Sequence, residues 1–183
     1  MNFSEIVKKR RAYRSLLPFE VKEEMIRELA ELASLAPSCF NKQPWRFIFI
    51  YEKENLEKIF STLSDANAWA KNASMVIAVF SKPDLDCIVK GKEYYLFDTG
   101  MATANIILRL TEMGLVAHPI AGFNEEKAKK VLNIPQEYRI ITLIITGKHN
   151  ENYADVLTEK AAISEKTRPS RKNFREVAFL NTF

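Results

Sequence analysis

The sequence predicts a sandwich of helices against a mixed sheet, in the α+β or α/β class. Two observations carry that expectation. Apolar runs at 45–51 (WRFIFIY), 75–80 (MVIAVF) and 139–146 (RIITLIIT) have the length of strands and are apolar at successive positions, as strands buried on both faces are. Between and around them lie segments whose apolar residues recur at helical spacing.

In order along the chain, Ser4 is placed to cap a short first helix ending in the basic run Lys8-Lys9-Arg10-Arg11. After Pro18 a stronger helix is expected from about Val21 to Ala36. Met25, Ile26, Leu29, Leu32, Ala33 and Ala36 form its apolar side, Glu23, Glu24, Arg27, Glu28 and Glu31 the other, and Pro37 stops it. Leu56, Ile59, Phe60 and Leu63 mark a further helix. A long, apolar one is expected from Tyr94 to Met113, closed by Gly114. Asn124 followed by Glu125 and Glu126 reads as a helix start, cap first and acids in the first turn, running to about Leu132 before Pro135. His118 to Phe123 reads as a short apolar link between those two helices. One domain is expected over 1–183, with a polar linker over about 150–173 and an apolar arm over 174–183 that must find a surface to cover, on its own body or on a partner.

Hydrophobic content of 47% and charged content of 27% are ordinary for a globular chain, and no apolar run reaches membrane-spanning length. With no signal-like start, and with Cys39 and Cys87 isolated from each other and from both histidines, a reduced, metal-free, cytoplasmic protein is expected. A net charge of +4 does not call for nucleic acid, and the basic run lacks aromatic interleaving; a clustered site for one phosphate fits equally well.

Three constellations could carry chemistry. Arg10, Arg11 and Arg14 are either a phosphate-binding cluster, with 10 and 14 on one face if the helix continues, or a solvated basic helix end. Arg168 and Arg171 form a weaker second cluster. Pro37, Ser38, Asn41 and Gln43, before Trp45, offer polar groups and a flat apolar surface to a planar heteroaromatic ligand; alternatively they satisfy their own turn. Pro119, Ile120, Ala121 and Gly122 are either a plain connection or a place where a ligand approaches free peptide N–H groups. No nucleophile elbow, phosphate-binding P-loop, zinc-protease helix or dinucleotide fingerprint occurs, so the chemistry is expected from a bound cofactor.

Together these segments resemble the nitroreductase family of flavin mononucleotide (FMN) oxidoreductases. Arg10-Arg11-Ala12-Tyr13-Arg14 is similar to the family's R-R-S-x-R run, and Ala36 to Phe47 (APSCFNKQPWRF) to its A-P-S-x-x-N-x-Q-P-W-x-F loop and strand. Asp98 to Asn105 resembles the D-x-G-x-A-x-x-N helix, Gly114-Leu115 through Ile120-Ala121-Gly122-Phe123 the G-L stretch and small-residue turn, and Arg171-Lys172 the R-K-P ending. The resemblance implies an α+β fold with a mixed, mainly antiparallel sheet flanked by helices, and a homodimer with FMN at the interface and the C-terminal arm wrapping the partner. It implies that Arg10, Arg11 and Arg171, with Arg168, hold the phosphate, with Ala12 in the same shell where the family has serine. Arg14 would face the flavin's O2/N1 edge. Pro37, Ser38, Asn41 and Gln43 would line ribityl and ring, and Pro119, Ile120, Ala121 and Gly122 would lie beside the ring. The implied activity takes hydride from NAD(P)H through flavin N5 to an electron-poor small molecule such as a nitroaromatic or quinone. The alternative is an FMN-binding or sensory module with little turnover, since Ala121 stands where many members carry glutamate. Asn67 and Asn72 are both candidates for the family's ring-facing asparagine.

Overall fold

The computed structural model describes residues 1–153 and 157–183. Strands β1 (Leu16–Leu17), β2 (Arg46–Ile50), β3 (Met75–Ser81), β6 (Leu115–Ile120) and β7 (Arg139–His149) form the main sheet, and β4 (Ile88–Val89) with β5 (Lys92–Glu93) a small hairpin. Across the sheet the order is β2-β3-β7-β6, and β1 pairs with the end of β7 through Leu16↔His149 and Leu17↔Lys148. All of these described ladders are antiparallel.

β3 explains why alternation is missing from the central strands. Met75, Ile77 and Val79 pack with Leu29, Ala33, Ala102, Ile106 and Leu110 on one side. Val76 and Ala78 pack with Leu56, Ile59, Ala128, Leu143 and Ile145 on the other. Helices α2 (Glu23–Ser34) and α4 (Tyr95–Glu112) cover the first face, α3 (Lys53–Phe60) and α5 (Glu125–Leu132) the second. The result is three layers, α+β as the sequence predicts. Each fully buried Ile or Leu contributes about 1.5–3 kcal/mol.

Helix ends follow local chemistry. Asn124 caps α5, its side chain accepting from the Lys127 N–H at 2.9 Å. Gly114, with φ at 79°, ends α4 in the left-handed conformation that glycine adopts without strain. Helix α1 (Phe3–Lys9) departs from expectation. Its cap is Asn2, in a reciprocal pair with Glu5 (3.0 and 2.9 Å), and Ser4 lies inside the helix. It stops at Lys9, and Arg10 has an extended ψ of 122°, so Arg10 and Arg14 do not share a helical face.

Strand β6 lies where the sequence suggests only a link. Pro119 argues against a strand because it donates nothing to a ladder. Here it pairs opposite Ile144 on the sheet's outermost strand, where a missing donor is tolerated. Helix α6 (Glu159–Lys166) falls within the stretch read as linker. After it comes α7 (Phe174–Val177), and the arm exposes Phe174, Val177, Phe179, Leu180 and Phe183. Cys39 and Cys87, read as isolated and reduced, are joined in a disulfide. Among the described residues, no helix is long and apolar enough to cross a membrane.

Candidate functional site

Residues 10–14 follow α1 as neither helix nor strand and touch both α6, through Glu165, and the edge strand β6, through His118. A buried carboxylate holds them there. Glu165 of α6 accepts from the Arg14 N–H (3.1 and 3.2 Å) and the Ser15 N–H (2.9 Å). His149 Nε2 approaches the same carboxylate at 3.4 Å without hydrogen-bond geometry, and its ring stacks on Tyr13 at 3.7 Å. Nothing in the sequence flags Glu165, because its partners are backbone groups some 150 positions away. Glu165→Ala strips acceptors from two N–H groups, and its expected cost is about 2–3 kcal/mol. Glu165→Gln, which keeps an acceptor, costs less; denaturant midpoints of the two variants check this.

Anchored this way, the arginines meet. A cleft of about 240 Å³ is lined by Arg10, Arg11, Ala12, Arg14, His118, Ser164, Arg168, Pro169 and Arg171. Arg168 Nη2 donates to the carbonyls of Lys8 (2.5 Å) and Arg10 (2.9 Å). Arg11 donates to the Ser164 carbonyl at 2.9 Å and lies over the Tyr13 ring at 4.8 Å. Partial burial, followed by the charges of Arg168 and Arg171, makes Arg10 easier to deprotonate than an ordinary guanidinium. Among the described residues no carboxylate pairs with the side chains of Arg10, Arg11, Arg14, Arg168 or Arg171. Cations that repel one another at a shared cleft fit a multivalent anion.

His118 of β6 borders the same cleft, buried, with Nδ1 3.0 Å from the Tyr13 carbonyl and its ring 4.6 Å from Trp69. Burial pushes its pKa below the ordinary imidazole value, and the Tyr13 carbonyl partly opposes this. Its packing against Trp69 and its bond to the Tyr13 carbonyl give the ring a place in the core beside the cleft.

Pro119 and Ile120 close β6, and Ala121 and Gly122 form the turn after it. The Gly122 carbonyl accepts from Ser64 N (3.0 Å) and Asn67 Nδ2 (2.9 Å). Among the described residues the Ala121 and Gly122 N–H groups donate to no protein acceptor. Of the two asparagines singled out in the sequence, Asn67 is the one that reaches this turn. Close approach, rather than a special φ, favours glycine: a Cβ at 122 would sit 2.5 Å from Asn67 Nδ2 and 2.6 Å from Ser64 Oγ, two side-chain ends that would have to turn away. Gly122→Ala turns both side chains aside and gives up the Asn67 bond, an expected loss of about 0.5–1.5 kcal/mol measurable as a lowered denaturant midpoint.

The 37–43 loop stands elsewhere. It feeds β2, at the opposite edge of the sheet from β6, with β3 and β7 between. Its polar side chains partly satisfy the loop itself. Ser38 Oγ accepts from Gln43 N at 3.0 Å, and Gln43 Nε2 donates to Asn41 O and Oδ1 at 3.3 and 3.2 Å. Phe40, Asn41 and Gln43 have φ of 49°, 56° and 50°, a costly run for residues with a Cβ. Asp98 Oδ2, which accepts from Cys39 N at 2.7 Å, and the Cys39–Cys87 bond hold the loop in that shape. Within one chain the structure brings Arg10, Arg11, Ala12, Arg14, Arg168 and Arg171 together. It sets the 119–122 turn at the end of the strand that borders them, and leaves Pro37, Ser38, Asn41 and Gln43 apart.

Comparison with known proteins agrees with this architecture. A candidate NAD(P)H nitroreductase of Streptococcus pyogenes is 29% identical over 185 residues, covering 82% of this chain and 92% of the relative. The crystal structure of a nitroreductase family protein from Clostridium novyi NT superposes with a TM-score of 0.77 at 30% identity, covering 83% of this chain and 87% of that one. The crystal structure of an oxidoreductase containing FMN shares the fold with a TM-score of 0.86 at 24% identity, covering 100% and 93%. The sequence profile of the Nitroreductase family matches residues 7–148. The chain belongs to the nitroreductase family.

Proposed function

We propose that this chain is an FMN-dependent oxidoreductase that takes reducing equivalents from NAD(P)H and delivers them to an electron-poor small molecule such as a nitroaromatic or a quinone. The observation that carries the reading is the arginine cleft, where burial and then the charges of Arg168 and Arg171 destabilise Arg10 as a cation and, among the described residues, no carboxylate pairs with it. A terminal phosphate dianion supplies the missing charge. Arg10, Arg11 and Arg171 would hold it, with Arg168 helping and Ala12 contributing backbone. Arg14 would put a fixed cation near the ring's pyrimidine edge. The free N–H groups of Ala121 and Gly122 would donate to the ring system from the end of β6.

When bound, FMN supplies the exchange of an electron pair between the nicotinamide and the acceptor. The protein's part is to orient the two partners and tune the charge around them. Pro37, Ser38, Asn41 and Gln43 belong to the same site on this reading, but of a second copy. Their position at the far edge of the sheet supports a homodimer in which each loop completes the partner's cleft. The exposed apolar arm supports it as well, since Phe179, Leu180 and Phe183 need a surface to cover.

An absorbance spectrum of the purified protein, followed by FMN titration and NAD(P)H oxidation with an added quinone, tests the proposal. Flavin absorbance with steady turnover is the expected result. A colourless protein that takes up no FMN would overturn it. Tight FMN binding without NAD(P)H oxidation would instead leave a flavin-holding or sensory module.

A further inference from the structure

A second cluster lies under the 37–43 loop, away from the arginines. Cys39 is bonded to Cys87, 48 positions on, with the Cα atoms 6.1 Å apart. Both sulfurs and a carboxylate oxygen of Asp86 lie within 4.8 Å of one another. Asp86 and Cys87 are buried, while Cys39 is half-buried beside Phe40, which is 90% exposed. Asp86 Oδ1 accepts from the Cys87 N–H at 2.8 Å, and buried Oδ2 finds no donor among the described residues while both Asp86 and Asp98 are ionised. Once one of the two is protonated, the Asp86 and Asp98 carboxyls can hydrogen-bond to each other. The charged groups facing Asp86 are Asp98, from the first turn of α4, and Lys42, whose Nζ lies 3.4 Å from the Asp86 carbonyl. Burial pushes the Asp86 carboxyl above its ordinary range; the Cys87 N–H opposes the rise and Asp98 adds to it. A buried carboxyl whose ionisation burial disfavours thus lies within 4.8 Å of the less accessible sulfur of a disulfide.

We propose that Cys39–Cys87 is a thiol–disulfide exchange site for a dithiol reductant, with Asp86 giving a proton to the departing Cys87 sulfur. One thiolate of the dithiol attacks Cys39 Sγ, the more accessible sulfur. The S–S bond breaks, its electron pair goes to Cys87 Sγ, and Asp86 protonates that sulfur before regaining a proton from solvent. The second thiolate of the reductant then attacks its own sulfur in the mixed disulfide. Cys39 leaves, takes a proton from solvent, and the dithiol departs as a cyclic disulfide; two electrons have entered the protein. The buried acid pair disfavours anionic reductants and favours neutral dithiols. Opening the bond removes the covalent tie on the left-handed residues Phe40, Asn41 and Gln43 and leaves hydrogen bonds involving Asp98, Lys42 and Arg46 and those within the loop. That consequence rests on the FMN reading, in which the loop lines the partner's cofactor.

The test treats the native full-length protein with dithiothreitol, traps thiols by alkylation, and locates them by mass spectrometry. Circular dichroism follows the fold. Reduction without loss of fold is expected, with a monothiol probe found on Cys39, and with Asp86→Asn at least about tenfold slower and with a flattened pH profile. Reduction only at the rate of global unfolding, a probe on Cys87, or an Asp86→Asn variant with wild-type rate and pH profile overturns the proposal. Should that variant not fold, the wild-type probe position and pH profile decide. FMN titration of both redox forms is read separately. Weaker binding by the reduced form is expected, and equal affinity overturns the coupling to the loop. Absence of binding in both forms sinks the FMN reading while the thiol measurements still judge the exchange site.

Discussion

If the cleft holds the FMN phosphate as proposed, Arg10→Ala is expected to raise the dissociation constant for FMN by about 10- to 150-fold, the loss of one charge-assisted hydrogen bond to phosphate at about 1.5–3 kcal/mol. The physics of the cleft makes the prediction sharper than a bare loss of affinity. Burial first, and then the charges of Arg168 and Arg171, disfavour the charged form of Arg10 in the absence of an anion. Removing Arg171 therefore relieves repulsion in the free protein, by no more than about a few tenths of a kcal/mol given exposure and screening. With FMN present the same substitution weakens binding. The sign of the Arg171→Ala effect on unfolding thus reverses between free and loaded protein. The Arg10→Ala/Arg171→Ala pair falls short of the product of the single effects because neighbouring sites couple. Fluorescence titration of FMN at several salt concentrations, alongside denaturation with and without FMN, checks all of this. Wild-type affinity in Arg10→Ala, or an identical sign in both states, defeats the assignment.

Replacing Cys39 and Cys87 together by serine lowers stability by about 4 kcal/mol on the chain-entropy account of a closed loop of this length. That is a large fraction of the total for a domain, about 5–15 kcal/mol. Guanidinium unfolding of the oxidised wild type, the reduced wild type and the double variant gives the comparison. The two thiol- or hydroxyl-bearing forms are expected to share a midpoint well below that of the oxidised form. Coincidence of all three curves would mean that the bond contributes nothing to the folded state.

The central strands were legible because both their faces are buried, so their apolar runs survive any register. Helix α5 was legible from Asn124 and the acids after it, since an N-terminal cap is local chemistry. Strand β6 was not, because Pro119 is a strand breaker everywhere except at an edge, and edges are a property of the whole sheet. Helix α6 hides for a different reason. Its docking draws on polar contacts, the Glu165 carboxylate on two backbone N–H groups and the Ser164 carbonyl under Arg11, and its sequence shows no clear apolar stripe. The arginines carry the same lesson. Arg168 and Arg171 look like an ordinary solvated pair until a hydrogen bond 158 positions long sets Arg168 beside Arg10. Cys39 and Cys87 looked isolated because their proximity depends on the loop turning through three left-handed residues. Family resemblance supplied the arginine grouping in advance; spacing alone did not.

The cleft draws its charges from the two ends of the described chain. Arg10 and Arg11 precede the first strand, whereas Arg168 and Arg171 follow the last long one. An anion seated there would act as a reversible clasp, reinforcing two segments that Glu165, Arg168 and Arg11 already tie by hydrogen bonds. Through loop closure it suppresses the outermost openings of the fold more than the central ones. At a hundredfold excess over its dissociation constant such a ligand adds about 2.7 kcal/mol to the resistance against unfolding. Trimming the chain after α6 would therefore undo the clasp while leaving every strand of the sheet in place.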